Sequence, residues 1–453
     1  MFKKLLPVLF LYLPTLVGAQ NKLPGNMYKR TLSNGLEVLV VEDKTVPLAT
    51  MVMTFKTGSY TETENTNGLT GIYLNMLPKN NIDYPDYGFN SGGLGISSRN
   101  TSTTAEYARF FFTLPKTNME EGFNFMNATI RKARLDPREL EKQKEVDNNQ
   151  LKQKQSNPSF VIDEAMRQHL WGNLNYRKNP MGTEEIIMNA TKSSLDVIKQ
   201  KYFNPDNALL IVGGAVSHDT VFNMAEKKFG DWEPGNFDPF KKWPIPEFKP
   251  LEKSDFFIVE SPLAKSPYIL LQWQGPDTRN DIQSTYTADV FSDIVNQKSS
   301  KLKTALLQSG LASAVNFNYL TLKHVGPISL YVIPNPAKIK ECVAEIKKQI
   351  GLMADDNYFT DTQVETAKRL LEIKKIREED ITSDFVQTLS FWWASASLNY
   401  YMSYNDDLMK VSRKDIKTYL NKYIINKAFC AGLLIDPELN KQINAVSFFK
   451  ANN

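Results

Sequence analysis

The stretch Gly35–Ser59, GLEVLVVEDKTVPLATMVMTFKTGS, decides the fold. Two runs of branched and apolar residues flank a polar segment around Glu42–Pro47, the pattern of two buried strands around a turn. The same pattern returns about 218 residues later as DFFIVESPLAKSPYILLQWQGPDT, Asp255–Thr278. The helical stretch Asp136–Trp171, DPRELEKQKEVDNNQLKQKQSNPSFVIDEAMRQHLW, has its counterpart about 224 residues on, in TDTQVETAKRLLEIKKIREEDITSDFVQTLSFWW, Thr360–Trp393. Near the end of each half a helix, a short polar turn and an apolar strand follow one another, in VIKQKYFNPDNALLIVGG and then in IKTYLNKYIINKAFCAGLLI. Three matched features in one order imply duplication of a domain of about 210 residues. Strands and amphipathic helices are mixed rather than strictly alternating, which gives an α+β class for each half.

The boundary between the halves is Asp231–Asp255, with five prolines and neither helical nor strand periodicity. The expected division is residues 20–235, a linker at 236–254 and residues 255–453. Before it, Lys3 and Lys4 precede the apolar run Leu5–Val17, which closes on Gly18-Ala19. That order is a secretory signal peptide over residues 1–19. The run is about 13 residues long and broken by Pro7 and Pro14, too short to span a bilayer. Export to the periplasm of a Gram-negative bacterium is expected, with no membrane-spanning segment in the mature chain. Over 453 residues, 42% hydrophobic and 23% charged, a net charge of +4 with Lys and Arg spread among Asp and Glu leaves no nucleic-acid footprint. Cys342 falls in a helical pattern and Cys430 in an apolar strand pattern, so two buried thiols are expected rather than a disulfide.

These features resemble the insulinase-like (M16) metallopeptidases, above all their short bacterial members with two homologous domains. The resemblance rests on the duplication, on NGLEVLVVED near the start, and on TGSYTETENTNGL before a helix. It rests also on NPMGTEEI at Asn179–Ile186 and on YFNPDNALLIVGGAVS. It implies two domains, each an antiparallel-rich sheet packed with helices. In that family the helix after the Gly-Leu step carries His-x-x-Glu-His, whose imidazoles hold zinc and whose Glu activates the metal-bound water. Here the helix reads NGLTGIYLNMLPK. The first His position falls on Gly71, the Glu position on Leu74 and the second His position on Asn75. The third ligand position, a Glu on a later helix, falls on Gln150, and its separation of 75 from Asn75 is the one the family pattern requires.

The resemblance therefore implies a zinc site whose donors are gone, and no cofactor is expected. Zinc takes imidazole, thiolate or carboxylate. Gly71 offers no donor, Asn75 and Gln150 offer neutral amides, and Leu74 cannot accept a proton. The chain's three histidines, His169, His218 and His324, lie far apart without ligand spacing and read as ordinary surface or core residues. Two-part members also carry an Arg and a Tyr in the other half. Aligned on Gly310-Leu311-Ala312, those positions fall on Leu306 and Ser313. The stretch Phe89–Pro115, FNSGGLGISSRNTSTTAEYARFFFTLP, lies where the family keeps an edge strand for peptide substrate. Gly92, Gly93, Asn100, Thr101, Ser102, Thr103 and Thr104 are its candidate backbone contacts, the alternative being a glycine-softened loop before an ordinary strand. Ser390–Tyr404, SFWWASASLNYYMSY, reads as an aromatic cluster packed in a helix.

The implied function is a non-catalytic subunit. It would pair as a heterodimer with a zinc-bearing homologue around a peptide-degrading or processing chamber. The alternative is a structural module in a larger cell-envelope assembly, outer-membrane or secretory.

Overall fold

The computed structural model describes residues 23–81, 83–84 and 93–450. The signal-peptide segment and Gly92 lie outside the described residues.

The first sheet holds β1 (Met27–Thr31), β2 (Glu37–Glu42), β3 (Leu48–Phe55), β4 (Ser98–Thr103), β5 (Ala108–Pro115) and β6 (Ala208–Gly214), in the order β1-β2-β6-β3-β5-β4. The second holds β7 (Asp255–Glu260), β8 (Tyr268–Gln274), β9 (Ala312–Tyr319), β10 (Pro327–Pro334) and β11 (Cys430–Ile435), in the order β7-β11-β8-β10-β9. The duplication is exact in topology save for the added edge strand β1. In each sheet the late strand enters between the first two, parallel to one and antiparallel to the other. The two strands of Gly35–Ser59 therefore do not pair with each other. Both are buried on both faces, and β6, buried along its whole length, is the apolar neighbour they share.

One face of each sheet packs on helices of its own half. In the first half these include α1 (Leu69–Met76), α2 (Met119–Arg131) and part of α3 (Pro137–Gln155). The other face is covered by a helix from the opposite half. Helix α4 (Pro158–Trp171) lays Ile162, Met166 and Leu170 on Phe257, Leu270 and Leu434 of the second sheet. In return α7 (Thr382–Ser395), which follows α6 (Asp361–Glu379), lays Val386, Leu389 and Trp393 on Leu39, Val52, Leu209 and Ile211 of the first. Each such side chain contributes about 1.5–3 kcal/mol on burial, so the exchange locks the halves together. Polar contacts follow the same seam. Trp393 Nε1 donates to Glu37 at 2.9 Å, and the buried Glu106 carboxylate accepts the backbone N–H groups of Lys323 and His324 at 2.9 Å each.

The aromatic cluster is two helices rather than one. The chain breaks at Ala396, and Ser397 caps α8 (Leu398–Met409) by accepting from the N–H of Tyr400. Serine competes for backbone groups inside a helix and favours its start. Cys342 and Cys430 are free and buried, and burial pushes both thiols up to about 12.

Candidate functional site

Helix α1 begins on Gly68, held in the left-handed region at φ 93° with no side-chain cap of its own. The cap comes from a distance. Buried Glu62 accepts the N–H of Gly68 at 2.7 Å and of Thr70 at 2.8 Å, and also the Asn67 amide. These bonds offset burial, the largest influence on Glu62, which pushes its carboxyl above the usual range. The NPMG turn docks on the same spot, where Asn67 Nδ2 donates to the carbonyl of Asn179 at 2.6 Å. A Cβ on Gly182 would lie 2.3 Å from the Asn67 carbonyl, so the contact requires glycine. The two motifs TENTNGL and NPMGTEEI are thus one structure, a rigid socket for the start of α1.

From that socket α1 turns Ile72, Tyr73, Leu74 and Met76 into the core and leaves Gly71 and Asn75, one turn apart, on a cavity of about 590 Å³. The second wall is α3, through Gln143, Val146, Asp147, Gln150 and Lys154. The third is the edge strand β4, through Asn100, Thr101, Ser102 and Thr103. Three of the four positions picked out by motif spacing, Gly71, Asn75 and Gln150, therefore share one cavity. Leu74 does not; it is fully buried in the core. Leu306 is also fully buried, in a π-helical turn of the second half, and Ser313 stands exposed on β9. Neither lines the cavity. Gly93 and Thr104 lie outside its lining as well.

A hydrogen-bond chain crosses the cavity. Thr101 Oγ1 donates to Asn75 Oδ1 at 2.5 Å, and Asn75 Nδ2 donates to Asp147 Oδ1 at 3.3 Å. Gln143 Nε2 reaches the same oxygen at 2.8 Å, while Lys79 Nζ donates to Gln143 Oε1 at 2.6 Å. Burial pushes the Asp147 carboxyl above its ordinary range, against the pull of Gln143, Asn75 and Lys79. Asp147 was not singled out in the sequence, although its spacing of one turn before Gln150 puts it on the same helix face.

Backbone groups on β4 are partly occupied too. Thr104 N–H pairs back to Tyr107, so by alternation Thr101 N–H faces away from β5, and Asn100 Oδ1 accepts it at 2.8 Å. The free edge carries its own blocker at that position.

The donor set does not suit zinc. At the donor positions stand one glycine, Gly71, and two neutral amides, Asn75 and Gln150, and the carboxylate of the lining, Asp147, already has two partners on its hydrogen-bonded oxygen. Among the described residues, no three His, Cys, Asp or Glu side chains converge as a metal site. The histidines are held elsewhere. His169 meets Asp255, His218 meets Glu42, and His324 is buried in the seam between the halves.

Comparison with known proteins agrees with this architecture. The family model described as "Insulinase (Peptidase family M16)" matches residues 37–184, and "Peptidase M16 inactive domain" matches residues 189–371. "Non-peptidase homolog YmxG" of Helicobacter pylori is 21% identical over 395 residues, 85% of this chain and 88% of the relative. "Uncharacterized zinc protease YmxG" of Bacillus subtilis is 21% identical over 351 residues, 76% of this chain and 83% of the relative. The crystal structure of a putative M16-like peptidase from Alicyclobacillus acidocaldarius superposes with a TM-score of 0.79 at 14% identity, covering 92% of this chain and all of the other, a likeness of fold. The chain belongs to the insulinase-like (M16) peptidase family, in which it carries both the N-terminal and the inactive-type C-terminal domain.

Proposed function

We propose that the chain is a non-catalytic subunit of this family that pairs with a zinc-bearing homologue and supplies one wall of a peptide chamber. One observation carries the reading. The cavity that the family's motif spacing points to is retained and structured, yet Gly71, Asn75 and Gln150 stand at its donor positions. The socket of Glu62, Asn67 and Gly182 still holds α1 in place, so the fold around the site is kept while its chemistry is not. A polar, open-edged cavity of about 590 Å³ suits an extended peptide segment rather than a compact cofactor. The peptide's own bonds would be cut at the partner's zinc. Export to the periplasm fits the charged and apolar order of residues 1–19. The name "non-peptidase homolog" belongs to a relative that matches most of this chain.

The test is reconstitution. The purified protein is mixed with the closest homologue that keeps His-x-x-Glu-His, and mass by light scattering is measured alongside cleavage of a peptide library. A stable 1:1 complex with raised cleavage is expected. No complex and unchanged cleavage by the homologue would overturn the proposal.

A further inference from the structure

A second cavity, of about 270 Å³, lies in the other half. Besides α7 and α8, three elements wall it, the counterparts of those around the first cavity. They are the long helix α5 (Ile282–Asn296) after β7 and β8, the end of the edge strand β9, and α6, the duplicate of α3. The side chains are of another kind. Tyr319, Phe391, Trp392, Tyr401 and Tyr404 wall it, and Asp289 of α5 stands among them. Tyr404 donates its hydroxyl to Asp289 Oδ2 at 2.8 Å.

Among the described residues, the carboxylates here have no cationic partner in contact. Ion pairs are frequent on this chain, yet among the described residues none within 4 Å is formed by Asp289, by Glu378 at the cavity wall, or by Asp293, one turn on from Asp289 and outside the lining. Asp293 Oδ1 is moreover buried without a hydrogen-bond partner. The two lysines of the wall do not fill the gap. Lys375 is committed to Tyr401, donating to its carbonyl at 2.7 Å and lying 4.5 Å from its ring centre. Lys374 is exposed at the mouth and acts on Asp289, Asp293 and Glu378 only from a distance. A carboxylate without a contact cation, inside an aromatic wall, is the chemistry that attracts a guest cation.

We infer that this cavity binds a basic side chain, arginine by preference, presented by an extended segment of a peptide or protein. A planar guanidinium can stack on Trp392 while it donates to Asp289, and an ammonium cannot do both as well. Residues Asn318, Tyr319 and Leu320, where β9 ends, line the entrance, so the segment would approach along that end of the sheet. It would not pair along the middle of β9. There the Asn296 side chain already bonds both the N–H and the carbonyl of Phe317, at 3.0 and 2.5 Å. Burial pushes Asp289 up to about 7, against the pull of Tyr404 and Lys374. The groups around it are Tyr404 and Tyr400 from α8, Lys374 from α6, Tyr319 from β9, Tyr419 from the helix Arg413–Tyr423, and Tyr286 and Asp293 on its own helix, while Lys375, Glu378 and Tyr401 share the cavity wall. Since the guest needs the ionised carboxylate, affinity should rise between pH 6 and pH 8. The inference does not depend on pairing with a zinc-bearing homologue.

The experiment is calorimetric titration of the full mature chain with two blocked pentapeptides, Ala-Ala-Arg-Ala-Ala and Ala-Ala-Leu-Ala-Ala. Saturable binding of the arginine peptide alone is expected. Asp289→Asn keeps the shape and the acceptor for Tyr404, and should weaken binding by at least about tenfold, the scale of a hydrogen bond to a charged group. Glu378→Gln, at the wall and remote from the core, should weaken it by about two- to fivefold and gives the answer if Asp289→Asn fails to fold. Lys374→Met, which removes a competing cation, should tighten it. Equal binding of both peptides, no binding of either, or wild-type affinity in both carboxylate variants would overturn the inference. Loss of binding in Lys374→Met would also overturn it, by making the cavity an anion site.

Discussion

Gly213 lies in β6 directly beneath α7, the helix that crosses from the second half. A Cβ at this position would lie 2.4 Å from Val386 Cγ1 and 3.0 Å from Thr382 Cγ2. Ordinary carbon contacts are about 3.5–4.0 Å, so Gly213→Ala must lift the helix or force Val386 from its rotamer. Overpacking of this kind costs about 1–3 kcal/mol. Val386 is fully buried, and Val386→Ala by itself loses two methyl groups, worth about 1.6 kcal/mol plus a cavity contribution. In the double variant the new methyl occupies the space that valine leaves. The two costs should therefore fail to add by about 1 kcal/mol or more, the double variant being more stable than the sum predicts. Chemical and thermal unfolding of all four proteins, followed by circular dichroism, measure the cycle. A neutral Gly213→Ala, or strict additivity, would refute the helix exchange that unites the halves. Gly432 of β11, under α4, offers a parallel case. Its Cβ would lie 2.5 Å from Phe257 Cζ and 3.2 Å from Ile162 Cδ1.

Three further outcomes are expected. Burial, followed by the charges of Arg279, Arg177 and Lys178, lowers His324 to about 2. Because its folded pKa lies below the unfolded value of about 6.5, the unfolded state alone takes up the proton as pH falls, and stability drops by about 1.4 kcal/mol per unit below pH 6. His324→Gln should remove one proton's worth of that slope in unfolding measured between pH 6 and 4, and an unchanged slope would count against the buried neutral ring. At the first cavity, Gly71→His, Asn75→His and Gln150→Glu together should create zinc uptake readable by metal analysis, since a Cβ on Gly71 meets nothing closer than 3.8 Å. Adding Leu74→Glu should cost stability, because it buries a carboxylate in the core. At the β4 edge, Asn100→Ala frees the Thr101 N–H and should raise the affinity for an extended peptide by a few fold, at most about 1.5 kcal/mol for one hydrogen bond. Unaltered affinity would remove β4 from the binding surface.

The duplication was legible because apolar strands and helix spacing recur in order, and the two sheets share one topology. The insertion of β6 between β2 and β3 was not. Strand pairing across more than 150 residues leaves no local trace, and Gly35–Ser59 looks the same whether its strands touch or part. The helix exchange was equally hidden. An amphipathic pattern in Pro158–Trp171 tells that one face is buried, not which sheet buries it. At the first cavity, the resemblance and its motif spacing brought out Gly71, Asn75 and Gln150, which share one cavity. They missed Asp147, which lies outside the motif although one turn before Gln150, and the Glu62 cap, whose bonds reach back from Gly68 and Thr70 over a longer loop than a capping box spans. Leu74 followed the motif count but not the cavity: an apolar side chain at that helix position rotates the demand toward the core. In Ser390–Tyr404 the aromatic content masked the serine that starts a new helix.

The central claim is that the chain keeps the family's cavity without its metal chemistry. Isothermal titration of zinc into the chelator-treated mature protein, with peptide cleavage followed in the same samples, tests it most directly. The account predicts no stoichiometric zinc binding at micromolar concentrations and no cleavage by the isolated chain. One tightly held zinc per chain, with cleavage that a chelator abolishes and zinc restores, would contradict it.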